Sequence, residues 1–256
     1  MNADKTNRPV RYSKEADEEL LPLIRKLTDE RASHGYRRIT AMLNRDFKKS
    51  RKRAVNVKRI YRIMKAAGLF LQRHTGKSTR THKGTIITLK PNLRWCSDTL
   101  QIRCSNGEKV KVAFSLDYCD RAAMSWVATT GAISGEMVRD LMVESVEKRF
   151  GRIDHLPHFV QWLSDNGGCY TADETRKLTE NLGFIVCTTP AYSPESNGMS
   201  EEFVKTLKRD YVYLNRLNDP QTVFDQLPKR FEDYNENAPH KGLKIRSPRQ
   251  SAERLL

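Results

Sequence analysis

Between Asp46 and Asp98 the sequence has no aspartate and no glutamate. Those 51 residues carry 15 lysines and arginines, while the other 31 basic residues of the chain are balanced by its 31 acidic ones. The whole formal net charge of +15 therefore sits in that stretch, and such a concentration points to a nucleic-acid backbone as partner. An anionic membrane surface would need an amphipathic anchor with large apolar residues, and none is present. The sequence also lacks an apolar run of membrane-spanning length and a signal-peptide pattern. Its five cysteines are odd in number and scattered, with no C-x-x-C pair, which excludes a disulfide framework and reads as reduced, mostly buried thiols in a cytosolic protein. The six histidines do not make a zinc site, since His74 and His82 in the basic stretch have no paired cysteines nearby. No leucine heptads occur. At 256 residues the chain can hold one large or two small domains with a proper core.

The most informative stretch that is present runs from Trp162 to Arg209. His158 to Leu163 reads as a buried strand and Asp165-Asn166-Gly167-Gly168 breaks it, so Asp165 falls at a strand's C-terminal end, where loops build sites. Pro194 precedes a run in which Phe203, Leu207 and Tyr211 recur at spacing four, predicting a helix that starts near Ser196 or Asn197. Glu201 lies one turn inside it and shares a face with Lys205 and Lys208, distinct from the face of Phe203 and Leu207. A carboxylate flanked by lysines suits a divalent ion meeting a phosphate. Thirty-five residues separate Asp165 from Glu201, and upstream the strand-like Arg94 to Leu100 offers a third carboxylate, Asp98.

These residues resemble the DDE transposases of bacterial insertion sequences, of the OrfB type, whose catalytic core looks like that of retroviral integrases. The family's pattern is an Asp, a second Asp, 35 residues, a Glu, and a Lys or Arg seven residues later, which falls here on Asp98, Asp165, Glu201 and Lys208. The local wording agrees, with W-x-S-D at the first acid, D-N-G at the second and S-P-x-S-N-G-M-x-E-x-F-V-K-T-x-K-R at the third. Glu202 is the rival third acid, but its spacing is 36 and only Glu201 follows N-G by two intervening residues. The resemblance implies that Asp98, Asp165 and Glu201 are catalytic and hold two Mg²⁺ ions, with Mn²⁺ as a substitute. Mg²⁺ takes oxygen ligands and shares its coordination with substrate phosphates, and two ions activate the attacking oxygen and stabilise the leaving one. Lys208 adds a donor aimed at a DNA phosphate.

Read in order, residues 13–72 form a small all-α, helix-turn-helix-like DNA-binding domain. Its first helix starts at Ser13 and turns Leu20, Ile24 and Leu27 inward; the second carries Ile39, Met42 and Leu43; the third is capped by Asn56, buries Val57, Ile60 and Met64, and ends at Gly68. H-G-Y-R-R-I and N-V-K-R-I-Y-R-I-M-K-x-x-G-L are similar to the helical domain preceding the core in the same family. Residues 73–92 read as a basic linker. The core, 93–215, opens with strands at 93–103, 110–116 and 122–130, the first two joined by a turn with an N-G signal. A helix over 134–150, the strand ending at Asp165, a helix near 172–182, a strand over 184–187 and the Glu201 helix follow. The result is an α/β, ribonuclease-H-like mixed sheet flanked by helices. Asp117 and Asp120 read as turn residues, and Trp95, Trp126 and Trp162 as core aromatics. Residues 216–256 form a helical tail resembling the family's Y-N-x-x-R-P-H-x-x-L, with Ala238 in place of the usual Arg and His240 in a structural role.

Nucleic-acid contacts are expected from Arg37 and Arg38, from Lys58, Arg62 and Lys65 on one face of the third helix, and from Lys205 and Lys208. The resemblance implies metal-dependent cleavage and strand transfer of an insertion sequence. Its partners would be double-stranded DNA, both element ends and target, and a second copy of the chain in a synaptic homodimer. An upstream OrfA segment, as partner or fusion, is a further implied partner. The compartment implied is the bacterial cytoplasm, near the nucleoid. The alternative is a DNA-binding or regulatory product without independent catalysis; a plain nuclease is disfavoured because it needs neither the basic arm nor Lys208.

Overall fold

The computed structural model describes residues 15–71, 88–151, 155–188 and 198–255, which fall into two compact units, Met1–Thr75 and Gly76–Leu256. The first unit contains α1 (Glu15–Glu18), α2 (Leu20–Glu30), α3 (Tyr36–Lys49) and α4 (Val57–Ala66). Ile24 and Leu27, Ile39 and Leu43, and Ile60, Ile63 and Met64 close into one cluster, each helix giving an i, i+3 or i, i+4 stripe. Asn56 caps α4, its side chain accepting from the Lys58 N–H at 2.8 Å. Asn44 of α3 both donates to and accepts from the backbone of Val55 and so fixes the approach to that helix. Val57, expected inward, is 39% exposed, because the inward stripe runs through Ile60, Ile63 and Met64 and leaves the first residue of α4 at its rim. The start at Ser13 lies outside the described residues, as do His74, His82 and most of the 73–92 linker.

In the second unit β1 (Arg94–Arg103), β2 (Lys109–Asp117) and β3 (Ala123–Thr129) form an antiparallel meander, and β4 (Val160–Ser164) and β5 (Phe184–Thr188) extend it in parallel beyond β1. The strand order is β3-β2-β1-β4-β5. Helices α5 (Gly135–Phe150), α6 (Gly168–Thr171) and α7 (Asp173–Asn181) lie between the later strands, followed by α8 (Gly198–Leu207), a π-helical turn over Lys208–Val212, α9 (Pro220–Glu236) and α10 (Pro248–Leu255). Parallel neighbours require such crossovers. Strand alternation then divides the core in two. Cys96, Leu100, Ile102, Val112 and Phe114 pack beneath α8 and α9, while Trp95, Ala113, Trp162 and Phe184 pack beneath α5. The mixed sheet expected from the sequence is thus present. β4 begins at Val160, two residues later than expected, and Phe159 is 74% exposed.

Two features stabilise the end of the sheet where β2 turns into β3. Asp117 accepts from the backbone N–H groups of Asn92, Cys119 and Asp120, and Asp120 meets Arg149 at 2.6 Å, the turn role expected of both acids. From the tail, the Asn235 side chain both accepts from Ala123 N–H and donates to Ala123 C=O, supplying the edge strand β3 with the backbone partner it lacks there. Tyr234 is buried, donates to Arg121 C=O and carries the His240 ring edge-on at 4.8 Å, and Ala238 is buried beside it. The Y-N-x-x-A-P-H motif is therefore a structural clamp. Residues 216–256 contribute Val223, Leu227, Phe231 and Tyr234 to the same core cluster as Phe114 and Phe203.

Candidate active site

β1 and β4 pair in register at Trp95 with Trp162 and Cys96 with Leu163. Two residues further on, Asp98 and Asp165 stand level, Asp165 one position past the end of β4; neighbouring strands are about 4.8 Å apart. The D-N-G turn aims the second acid. The Gly167 N–H donates to Asp165 Oδ1 at 2.9 Å, and a Cβ at position 167 would lie 2.9 Å from that same oxygen, so any larger residue would have to displace the Asp165 carboxylate. Asp98 accepts from the Thr99 N–H at 2.7 Å.

Glu201 arrives from the other direction, in the first described turn of α8; the helix start expected near Ser196 or Asn197 lies outside the described residues. That turn is fixed to the sheet by two buried groups. The Ser200 hydroxyl hydrogen-bonds to Cys96, whose thiol burial pushes up to about 12, and the Tyr118 hydroxyl bonds to the Met199 backbone. Phe203, Leu207 and Tyr211, the spacing-four series of the sequence, all enter the core. Glu201 is thereby left on the outer face, where Lys205 meets it at 3.3 Å.

Burial raises the Asp98 carboxyl to about 6, the Thr99 N–H opposes the rise, and the negative charges of Asp165 and Glu201 add to it. Asp165 and Glu201 therefore each lie close enough to Asp98 to act on it. Glu202 acts elsewhere, on Arg209 and Tyr234, so the structure separates the two adjacent glutamates that the sequence offered. Among the described residues no three His, Cys, Asp or Glu side chains close around a common point; the acids form an open set.

A raised pKa means that the folded state binds this proton more tightly than the unfolded chain. The associated stability is complete below about pH 4 and is lost as pH rises through about 6. In chelator, Asp98→Asn should then raise the melting temperature at pH 8 by a few degrees, about 1–2 kcal/mol after allowing for partial exposure, and change little at pH 4. An equal shift at both pH values in a thermal melt followed by circular dichroism would contradict this charge repulsion.

The predicted nucleic-acid contacts divide. Lys58, Arg62 and Lys65 are exposed on the side of α4 opposite Ile60, Ile63 and Met64. Arg37 is exposed and lies over the Tyr36 ring at 4.9 Å, while Arg38 is half-buried. Lys208 is half-buried at the head of the π-turn, and Lys205 is engaged with Glu201. Sequence reasoning missed the partly exposed Tyr36, Tyr61 and Phe70 rings, 5.0–6.4 Å apart beside Arg37. Tyr36 and Tyr61 are visible in the motifs quoted above, but their convergence is tertiary.

A meander of three strands extended by two parallel ones, with acids from β1, the end of β4 and a later helix on one edge, defines an integrase-type catalytic core. Two family models described as Integrase core domain match residues 88–194 and 186–248, and one described as HTH-like domain matches residues 15–77. The transposase InsD of insertion element IS2A/D/F/H/I/K from Escherichia coli is 44% identical over 237 residues, covering 91% of this chain and 78% of that protein. The InsD transposase of IS2-9 from Escherichia coli strain K12 is also 44% identical, over 91% of this chain and 76% of its own length. Among solved structures, a simian T-cell lymphotropic virus intasome in complex with PP2A regulatory subunit B56 gamma shares the fold, with a TM-score of 0.52 at 18% identity over 77% of this chain and 67% of that one. The chain belongs to the DDE transposases of insertion sequences. No helix among the described residues is long and apolar enough to cross a membrane.

Proposed function

We propose that Asp98, Asp165 and Glu201 are the catalytic carboxylates of this transposase and that they hold two divalent ions, Mg²⁺ or in its place Mn²⁺, while the chain cuts insertion-sequence ends and joins their 3′ hydroxyls to target DNA. The observation that carries this reading is the register of β1 with β4, which brings Asp165 level with Asp98; the charges of Asp165 and of Glu201 on α8 both act on the Asp98 carboxyl, which burial raises first. The donor chemistry is of the kind hard cations take, since every donor is a carboxylate oxygen, while among the described residues the three acids do not close around a common point. Bound there, such ions supply activation of the attacking oxygen and stabilisation of the leaving one.

The chain's own residues position the substrate. Lys205, which meets Glu201 on α8, and Lys208, at the head of the turn that follows that helix, are donors for phosphate oxygens beside the carboxylates. Lys58, Arg62 and Lys65, with Arg37 and Arg38, give the helical unit a basic surface for duplex backbone. A synaptic homodimer, an OrfA partner or fusion, and a place at the nucleoid of a bacterial cytoplasm complete the reading.

The test is a strand-transfer assay with purified chain, Mg²⁺, a pre-cut DNA end and supercoiled target. Joined product is expected with the wild type and none with Asp165→Asn, whose DNA affinity should stay within a few-fold. Product formed equally by Asp165→Asn would remove that residue from the site.

A further inference from the structure

Asp98 and Asp165 stand level, yet the ladder between their strands stops before it reaches them. Pairing of β1 with β4 ends at Cys96 and Leu163, and Asp165 lies one position past the end of β4. What crosses between the two segments at the level of the acids is a pair of buried hydroxyls. Ser97, the residue before Asp98, has its Oγ 2.7 Å from the hydroxyl of Tyr170, which sits on α6 shortly after the D-N-G turn of Asp165. Ser97 is 0% and Tyr170 6% exposed, and among the described residues each hydroxyl has the other as its hydrogen-bond partner. A buried hydroxyl without a partner costs free energy, which holds the two together.

From Tyr170 the connection runs back to the second acid within one turn of chain. The Tyr170 N–H donates to Gly167 C=O at 2.9 Å, and the Gly167 N–H donates to Asp165 Oδ1 at 2.9 Å. The Tyr170 ring belongs to the same core cluster as Trp95, Leu141 and Met142, so its place is set by packing and its hydroxyl is left to make the link. Cys96, one residue earlier on β1, lies on the other face of the sheet and takes the Ser200 hydroxyl beside Glu201. Consecutive residues of β1 thus reach, on opposite faces, the two elements that carry or follow the other acids.

We propose that the Ser97 and Tyr170 hydroxyls form a positioning clamp that sets the separation of Asp98 and Asp165, and with it the affinity of the two carboxylates for a divalent cation. Neither residue touches the cation or the DNA; each acts through the carboxylate on its own segment. Removing an outer partner of a ligating group typically costs 10–100-fold in metal affinity, and Mg²⁺ demands near-ideal octahedral geometry. The clamp rests on the assignment of Asp98 and Asp165 as cation-holding carboxylates.

The experiment measures Mn²⁺ binding to the full chain without DNA by titration calorimetry, next to a thermal melt in chelator, for the wild type, Tyr170→Phe, Ser97→Ala and the double variant. Each single change should weaken Mn²⁺ binding about 10–100-fold and lower the melting temperature by a few degrees, because one buried hydroxyl loses its partner. The double variant leaves no orphaned hydroxyl, so its melting temperature should lie above those of both single variants while its Mn²⁺ affinity stays low. Mn²⁺ affinity within twofold of the wild type in all three variants would make the bond merely structural and overturns the clamp. Affinity that returns together with stability in the double variant overturns it as well, since the loss would then follow from disturbed folding. Asp165→Asn in the same titration separates the clamp from the reading beneath it. Weakened binding by Asp165→Asn with none in the clamp variants strikes the clamp alone, whereas wild-type binding by Asp165→Asn strikes the carboxylate assignment and the clamp with it.

Discussion

Glu201→Gln should lower strand transfer about 10³-fold or more, while Glu202→Gln should remain within about tenfold of the wild type. The glutamine keeps the shape of the side chain and an oxygen for Lys205, which meets Glu201 at 3.3 Å, and removes only the charge. A carboxylate that holds a cation against a reacting phosphate contributes several kcal/mol to the transition state, and each 1.36 kcal/mol is a factor of ten. Glu202 is the sharp control because it is adjacent in sequence and equally acidic, yet its charge acts on Arg209 and Tyr234 rather than on Asp98. Duplex binding by Glu201→Gln should be unchanged or slightly tighter, since a negative charge near the backbone is lost. The measurement is initial rate of joined product for both variants; an active Glu201→Gln with an inactive Glu202→Gln would reverse the assignment.

Phe203→Ala should destabilise the second unit by about 3–5 kcal/mol, a large part of the roughly 5–15 kcal/mol that holds a domain together. Phe203 is 3% exposed. Its ring centroid lies 4.5 Å from that of Phe114 on β2, 4.8 Å from Tyr234 and 5.7 Å from Phe231 on α9, so one side chain joins sheet, site helix and tail. Aromatic pairs of this geometry add to the burial itself. Removing the ring leaves a cavity beneath the turn that carries Glu201, so residual activity should fall further than the folded fraction does. A urea melt reads the stability, and a loss under about 1 kcal/mol would show that α8 is held mainly by Ser200 and Tyr118 instead.

Much of the site is legible along the chain because its parts are local. Asp98 follows a strand pattern, Asp165 closes another through D-N-G, and Glu201 sits on a helix whose Phe203, Leu207 and Tyr211 point the other way; the structure places each on the expected type of element. The capping of α4 by Asn56 and the turn role of Asp117 and Asp120 were equally local, resting on hydrogen bonds over two or three residues. Val57 and Phe159 mark where this logic ends. Both are apolar residues at the start of an element, and whether such a residue is covered depends on what packs across from it.

The sequence alone determined the acid spacing, the confinement of the excess positive charge to one stretch, and the alternation and helical periodicity that make strands and helices, since each is a property of neighbours along the chain. Only the tertiary structure decided that β4 would lie against β1 and so bring Asp165 level with Asp98, that Asn235 would serve the backbone of β3, and that Arg103 would stand across from Lys109. The physical reason is that strand order and register are set by packing between residues far apart in sequence, and a one-residue slip in register would send the strand residues among these to the opposite face.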